Sequence, residues 1–340
     1  MGGLLSLQQR IIPEMVELMD KRYCILKKIF YNQPIGRRAL SQALNMGERT
    51  VRTEVNFLKN QGLIEINSIG MIVTKDGENI IENLEEMIHE INGLSDIEKK
   101  LKNVLNLEEA IVVPGDAEKD DTVLREMGRV AANRIKDLIK DNSIIALTGG
   151  SSVAQVVQNF PKINKNNVLV VPARGGMGRD IKTQASTLAA ELAFKIGANY
   201  KLLHVPDNLS NEAIETIANE PDILDTIEKI SKADLLVYGI GRASDMSKRR
   251  GMNEHEIEML KKSGAVSEAF GYYFNKDGKI VYKTPTIGLN FEDIGNINNI
   301  IAVAGGKNKA EAIISTKTSN NSLILVTDEG AANAILKIKC

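Results

Sequence analysis

Over residues 7–31 apolar side chains recur every three or four positions (Ile11, Met15, Leu18, Met19, Tyr23, Leu26, Phe30), which predicts an amphipathic helix. After Pro34 a short helix spans Gly36 to Leu44, and Asn45-Met46-Gly47 breaks it. A further helix runs from Glu48 to about Asn60 with Val51, Val55 and Leu58 on one face, and Gln61-Gly62 stops it. Leu63–Ile66 and Met71–Val73 read as a hairpin turning at Asn67-Ser68-Ile69-Gly70. Ile80, Ile81, Leu84, Met87, Ile88 and Ile91 then form one stripe of a helix over 78–91. Gly93 and Ser95-Asp96 interrupt it before another helix reaches about Asn106. That stripe has two outlets, burial against the preceding elements or against a second copy of the chain.

From residue 109 the pattern switches to alternating strands and helices. Strands are predicted at 110–113, 143–147, 167–171, 201–205, 233–239, 270–274 with 279–283, 300–304 and 322–326. Helical patterns fill 121–140, 151–159, 182–197, 210–231, 253–263, 308–316 and 329–337. Ile144–Leu147, Val168–Val171 and Leu235–Val237 are continuous apolar runs, as expected of strands covered on both faces. The expectation is an α/β protein in three parts: a winged helix-turn-helix head at 1–75, a helical linker at 76–108, and a Rossmann-like open α/β effector domain at 109–340.

Charge separates the same parts. Residues 1–75 hold eleven Lys/Arg against six Asp/Glu, a net +5, so with −1 overall the rest carries −6. A basic helix, turn, helix and wing is the footprint of a module that reads double-stranded DNA. Glu48, Arg49, Thr50, Arg52 and Thr53, opening the second helix of the pair, are the candidates for the major groove and its phosphates, with Arg37 and Arg38 on the backbone. Two-fold oligomers match palindromic half-sites, so at least a homodimer is expected. No apolar run approaches the ~20 residues of a membrane span, and no signal-peptide pattern opens the chain. Two cysteines, Cys24 and Cys340, fit a reducing cytoplasm rather than a disulfide framework or metal site.

Ligands of open parallel sheets gather at the carboxyl ends of the strands, and here those ends are rich in glycine and cations. Thr148-Gly149-Gly150-Ser151-Ser152 opens a helix and makes a phosphate cradle, without the lysine ending of a P-loop. The loop from Pro172 to Asp180 sets Arg174 and Arg179 among glycines, and Gly239-Ile240-Gly241-Arg242 is soon followed by Lys248-Arg249-Arg250. Gly305-Gly306-Lys307-Asn308-Lys309 opens another helix, a second cradle that would suit a ligand with more than one phosphate. His89, His204 and His255 have no partner at triad or metal spacing, so they read as structural or exposed and no metal or other cofactor is expected. Glu268, beside Phe270-Gly271-Tyr272-Tyr273-Phe274, can accept hydrogen bonds from sugar hydroxyls or serve a structural bond.

Thr148–Ser151, Val171-Pro172-Ala173-Arg174-Gly175-Gly176, Tyr238–Gly241, Ala269–Phe274 and the run from Ile301 through Ala304-Gly305-Gly306 to Ile313 resemble the SorC family of bacterial sugar-responsive repressors, over essentially the whole chain. The resemblance implies an effector domain related to glucosamine-6-phosphate deaminase and ribose-5-phosphate isomerase, and fructose 1,6-bisphosphate as effector. It implies ligand contacts at Gly149, Gly150, Ser151, Ser152, Arg174, Gly176, Gln184, Glu268, Lys309 and one or both of Arg249 and Arg250. It also implies a tetramer on DNA. The alternative is a sugar-phosphate isomerase or deaminase with a fused interaction head. Against it, Gly239-Ile240-Gly241 continues as Arg242-Ala243-Ser244, where the deaminases need Asp-Gly-His to move protons. A nucleotide-binding oxidoreductase would need a Gly-x-Gly-x-x-Gly turn in the first βα unit, which is missing.

Overall fold

The chain was analysed as a computed structural model, which describes residues 11–176, 180–205, 209–316 and 322–339. The first residues of the expected helix at 7–31, Met177-Gly178-Arg179 of the glycine-rich loop, and Cys340 lie outside them. Two compact units emerge, Met1–Ser95 and Asp96–Cys340.

In the first unit α1 (Pro13–Asn32), α2 (Arg37–Leu44) and α3 (Glu48–Asn60) precede the hairpin β1 (Ile64–Asn67) and β2 (Gly70–Val73). Asn45, in the left-handed region (φ 50°), ends α2 and makes the turn into α3. Asn67 Oδ1 accepts the amides of Ile69 and Gly70, so the side chain itself sets the hairpin turn. Ile35 bridges Met71, and a Cβ on Gly70 would stand 2.9 Å from the Ile35 nitrogen, which leaves room only for glycine. Ile25, Leu26, Ile29, Leu40, Val51, Val55, Leu58 and Met71 close the core. Helix α4 (Lys75–Ile91), capped by the Thr74 hydroxyl, sends Ile81 and Ile88 into that same core. Of the two outlets for its stripe, the chain uses the internal one.

Helix α5 (Leu94–Leu105) leads into the second unit. There β3 (Glu109–Val113), β4 (Ile144–Leu147), β5 (Leu169–Pro172), β6 (Asn199–Tyr200), β7 (Leu235–Gly239), β12 (Asn299–Val303) and β13 (Leu323–Asp328) form one parallel sheet in the order β3-β13-β12-β7-β4-β5-β6. Helices α6 (Asp121–Leu138), α7 (Ser151–Gln158) and α8 (Ala185–Ile196) bury Met127, Ile135, Val153, Leu188 and Leu192 on Ile145, Leu147, Val237, Ile301 and Val326. Of the remaining helices, α10 (Pro221–Ser231) packs on β4 and β5 with α9 (Asn211–Ala218) against it, and α14 (Glu329–Lys339) packs on β3 and β13 with α13 (Ala310–Ser315) against it. From β4 the chain proceeds outward through β5 and β6; from β7 it proceeds the other way. The topological switch point therefore falls between β4 and β7.

Beyond β7, a small antiparallel sheet joins β8 (Gly241–Arg242), β9 (Ala265–Ala269), β10 (Tyr272–Asn275) and β11 (Ile280–Lys283). Helices α11 (Ala243–Arg249) and α12 (Glu254–Lys262) lie between β8 and β9. Three local expectations are corrected. No strand forms at 201–205: β6 is an edge, and beyond Tyr200 its neighbour offers Pro172, which has no N–H to continue the ladder. The helix expected over 210–231 is two, because Pro221 cannot sit inside a helix and instead starts α10. Strand β10 begins at Tyr272, since Phe270 (φ 55°) and Gly271 (φ 89°) form the two-residue turn of the β9–β10 hairpin. Helix α11 was not expected. Among the described residues no helix is long and apolar enough to cross a membrane.

Candidate functional site

On the head, Val51, Glu54, Val55 and Leu58 turn inward from α3, leaving Glu48, Arg49, Thr50, Arg52 and Thr53 exposed on its opening turns. Arg37 and Arg38 are exposed on the first turn of α2. The buried Glu54 accepts from Lys21 Nζ (2.6 Å) and Arg22 Nε (2.9 Å), and the Arg22 guanidinium lies 3.5 Å from the Phe57 ring centroid. Burial pushes the Glu54 carboxyl up, but the bonds and charges of Lys21 and Arg22 outweigh it and hold the group below its ordinary range. Two of the head's cations thus brace α3 against α1, while Arg37, Arg38, Arg49 and Arg52 lie exposed.

In the second unit, the strand ends on both sides of the switch point carry the expected residues. Gly150 (φ 124°) caps α7, and its amide donates to the Thr183 carbonyl at 2.9 Å. A Cβ on Gly149 would stand 2.5 Å from that same carbonyl and 3.1 Å from the Ala185 nitrogen, so the glycine pair lets the segment holding Gln184 lie against the loop. No side chain caps α7, so its first amides, beyond reach of any helical carbonyl, stay open beside Ser151 and Ser152. The Thr148 hydroxyl is buried next to them without a hydrogen-bond partner. Across the switch point, a Cβ on Gly239 would meet the Val303 carbonyl at 3.8 Å and Ser152 Cβ at 4.0 Å, ordinary contact distances that set the end of β7 beside the start of α7.

Glu268 organises a second group. Its Oε1 accepts from Arg250 Nη2 (2.6 Å) and the Gly271 amide (2.7 Å), with Arg174 Nη1 at 3.9 Å. All three groups are buried or nearly so, and the set carries one positive charge in excess. Gly176 is half-buried at the end of the same loop as Arg174. Arg249 and Arg250, adjacent in sequence, part company. Arg250 joins Glu268, whereas Arg249 is exposed and acts on Lys309.

Lys309 is half-buried; its amide donates to the Gly306 carbonyl, but its ammonium makes no hydrogen bond or ion pair within 4 Å to a described residue. Burial first, then the nearby charge of Arg249, drive its ammonium below the usual lysine range; Arg242 adds to this, and Asp328 and Glu118 oppose it. Two cations, Arg249 and Arg242, thus press on one ammonium that has no close partner, and two carboxylates, Asp328 and Glu118, offset them in part.

The loop at 305–309 departs from expectation. Its amides are not an open second cradle, because carboxylates of the chain occupy them. The Gly306 amide donates to Asp328 Oδ2 (2.7 Å), that of Lys307 to Asp116 Oδ1 (3.4 Å) and that of Asn308 to Glu118 Oε1 (3.3 Å). Of the two expected cradles, only the one at α7 keeps its first amides open among the described residues. Arg242, Asp116, Glu118 and Asp328 were absent from the expected site. Arg242 had a signal, following directly on Gly239-Ile240-Gly241, whereas the three carboxylates come from segments with no local motif.

Residues 89–337 match the sugar-binding domain family, and residues 18–88 match the CggR N-terminal DNA binding domain. The chain is 43% identical over 339 residues to the central glycolytic genes regulator of Priestia megaterium, covering 99% of each. A SorC family transcriptional regulator from Enterococcus faecalis is similar in structure, with TM-score 0.67 and 40% identity over 71% of this chain and 99% of that one. The full-length sorbitol operon regulator SorC from Klebsiella pneumoniae shares the fold, with TM-score 0.65 and 20% identity over 93% of this chain and 98% of that one.

Proposed function

Given that the chain belongs to the SorC family of sugar-binding transcriptional regulators, we propose that it represses glycolytic or related sugar-metabolism genes under control of fructose 1,6-bisphosphate or a close phosphosugar. It is a regulator and not an enzyme. The deaminase alternative fails on the relatives, which are regulators. At the same position α11 begins with Ala243-Ser244, where proton-transfer residues would be needed.

The observation that carries the reading is Lys309, a cation without a hydrogen-bonded partner, at the end of β12 while the uncapped start of α7 ends β4 on the other side of β7. One phosphate takes the α7 amides with Ser151, Ser152 and Lys309. The other takes Arg174 with Arg249 or Arg250, and Gln184 and Glu268 accept or donate to the sugar hydroxyls. Glu48, Arg49, Thr50, Arg52 and Thr53 enter the major groove of double-stranded DNA, while Arg37 and Arg38 hold its backbone. The protein acts in the cytoplasm as a homodimer or tetramer, and the ligand binds the DNA-competent and DNA-incompetent assemblies unequally.

The test is titration of the full-length protein with fructose 1,6-bisphosphate, fructose 6-phosphate and fructose, following affinity for DNA it selects from a random pool and assembly state by ultracentrifugation. The bisphosphate is expected to bind most tightly and to change one of the two readouts. If no phosphosugar changes either, the effector assignment is wrong.

A further inference from the structure

Glu118 sits where a glycine makes room for it. Gly306 has φ 101°, and a Cβ there would come within 2.7 Å of Glu118 Cγ. Glu118 Oε1 accepts the Asn308 amide at 3.3 Å and Oε2 the Asn308 side-chain nitrogen at 2.6 Å, and its charge reaches the neighbouring Lys309. The turn that bears Glu118 is held without its carboxylate. The Ala117 amide donates to the buried Asp328 (2.6 Å), the Gly330 amide to the Gly115 carbonyl (2.9 Å) and the Gly115 amide to Glu329 (3.2 Å). Asp116, by contrast, is mostly buried and packed where a Gly330 Cβ would be. Glu118 is thus an exposed carboxylate held by Asn308 alone among the described residues, close enough for its charge to act on Lys309 but not paired with it.

We propose that Glu118 is a specificity-determining residue of the effector site, a resident anion that a ligand phosphate must displace from Asn308 on its way to the neighbouring Lys309. This rests on the phosphosugar reading above. A phosphate carries up to two charges and three acceptor oxygens, so it outcompetes a single exposed carboxylate for the same donors. A neutral sugar has nothing to offer Lys309 in exchange and leaves Glu118 in place. The carboxylate thereby filters ligands by charge, at a cost in affinity for every anion admitted.

The test compares full-length wild type, Glu118→Gln and Glu118→Ala by calorimetry with fructose 1,6-bisphosphate, inorganic phosphate and fructose, at low salt and at about 0.5 M salt, where charge interactions are screened. Melting curves accompany each protein to verify folding. Both variants are expected to bind the bisphosphate and phosphate about two- to fivefold more tightly than wild type, the range for removing one nearby exposed charge. The gain should shrink at high salt, with fructose unchanged. Wild-type binding with equal or weaker affinity in both variants overturns this inference alone and makes Glu118 a cap on Asn308. A gain that persists at high salt, or that extends to fructose, also overturns it. Absence of phosphosugar binding by all three proteins overturns the effector reading and this inference with it.

Discussion

Single residues in the second unit are set against one another by charge, and Lys309 shows the consequence most directly. Burial and Arg249 drive its ammonium below the ordinary lysine value of 10.5, so the proton is held less firmly before a ligand arrives than afterwards. An anion stabilises the protonated form. Affinity for a phosphosugar is therefore full below the lowered pKa and falls as pH rises through it, with proton uptake on binding in that window. Calorimetry with fructose 1,6-bisphosphate between pH 7 and about 10 should show the decline, and Lys309→Arg, which stays charged throughout, should abolish it. An unchanged slope in that variant would place the titration elsewhere. Glu268 works the other way: with Arg250 and the Gly271 amide both bound to it and Arg174 3.9 Å away, the carboxylate is a fixed anchor for one buried and one half-buried arginine.

At the scale of elements, function depends on which face of a helix is spent on packing. Helix α3 gives Val51, Val55 and Leu58 to the core and Glu54 to Lys21 and Arg22, and among the described residues the exposed side of its first turns bonds only within the helix, Thr53 to the Arg49 carbonyl. Arg49→Ala should therefore leave melting unchanged, weaken DNA binding, and lower the slope of log affinity against log salt by about one if Arg49 meets a phosphate. If it pairs with guanine, the same variant should relax specificity at one base position instead. Selection from a random DNA pool separates the two, and an unaltered affinity and slope would remove α3 from the interface. Helix α7 spends its sides on the sheet and keeps its first turn open, through a glycine whose φ of 124° few other residues adopt.

The whole molecule consists of two compact units with separate cores and different sensitivities. Glu54 is held below its ordinary value of 4.5, so its contribution to the head is complete above that pH and is lost as pH falls through the lowered value. On the proposed function a phosphosugar binds the second unit, and at 100 times its dissociation constant it would stabilise that unit by ~2.7 kcal/mol. Scanning calorimetry of the full chain should resolve both effects: bisphosphate raising the transition of the second unit, and acid lowering that of the head, the latter blunted in Glu54→Gln. A single transition responding equally to ligand and acid would show that the two cores melt as one.

Much of this architecture was legible along the chain. Helical spacing at Val51, Val55 and Leu58, the break at Asn45, and the polar turn at Asn67 specify a winged head, because each is a local consequence of backbone geometry. Continuous apolar runs followed by glycine likewise marked β4, β5, β7 and β12 and the loops after them, since a strand covered on both faces has no polar side to show. Other features depend on partners distant in sequence. Pro172 ended a strand beside Tyr200, the partner of Val170, and the head core rather than a second chain took Ile81 and Ile88. Asp116, Glu118 and Asp328 filled amides at 306–308 that the Gly-Gly motif left apparently open. A motif records which backbone groups a loop presents, but whether they remain free for a ligand depends on what folding brings against them.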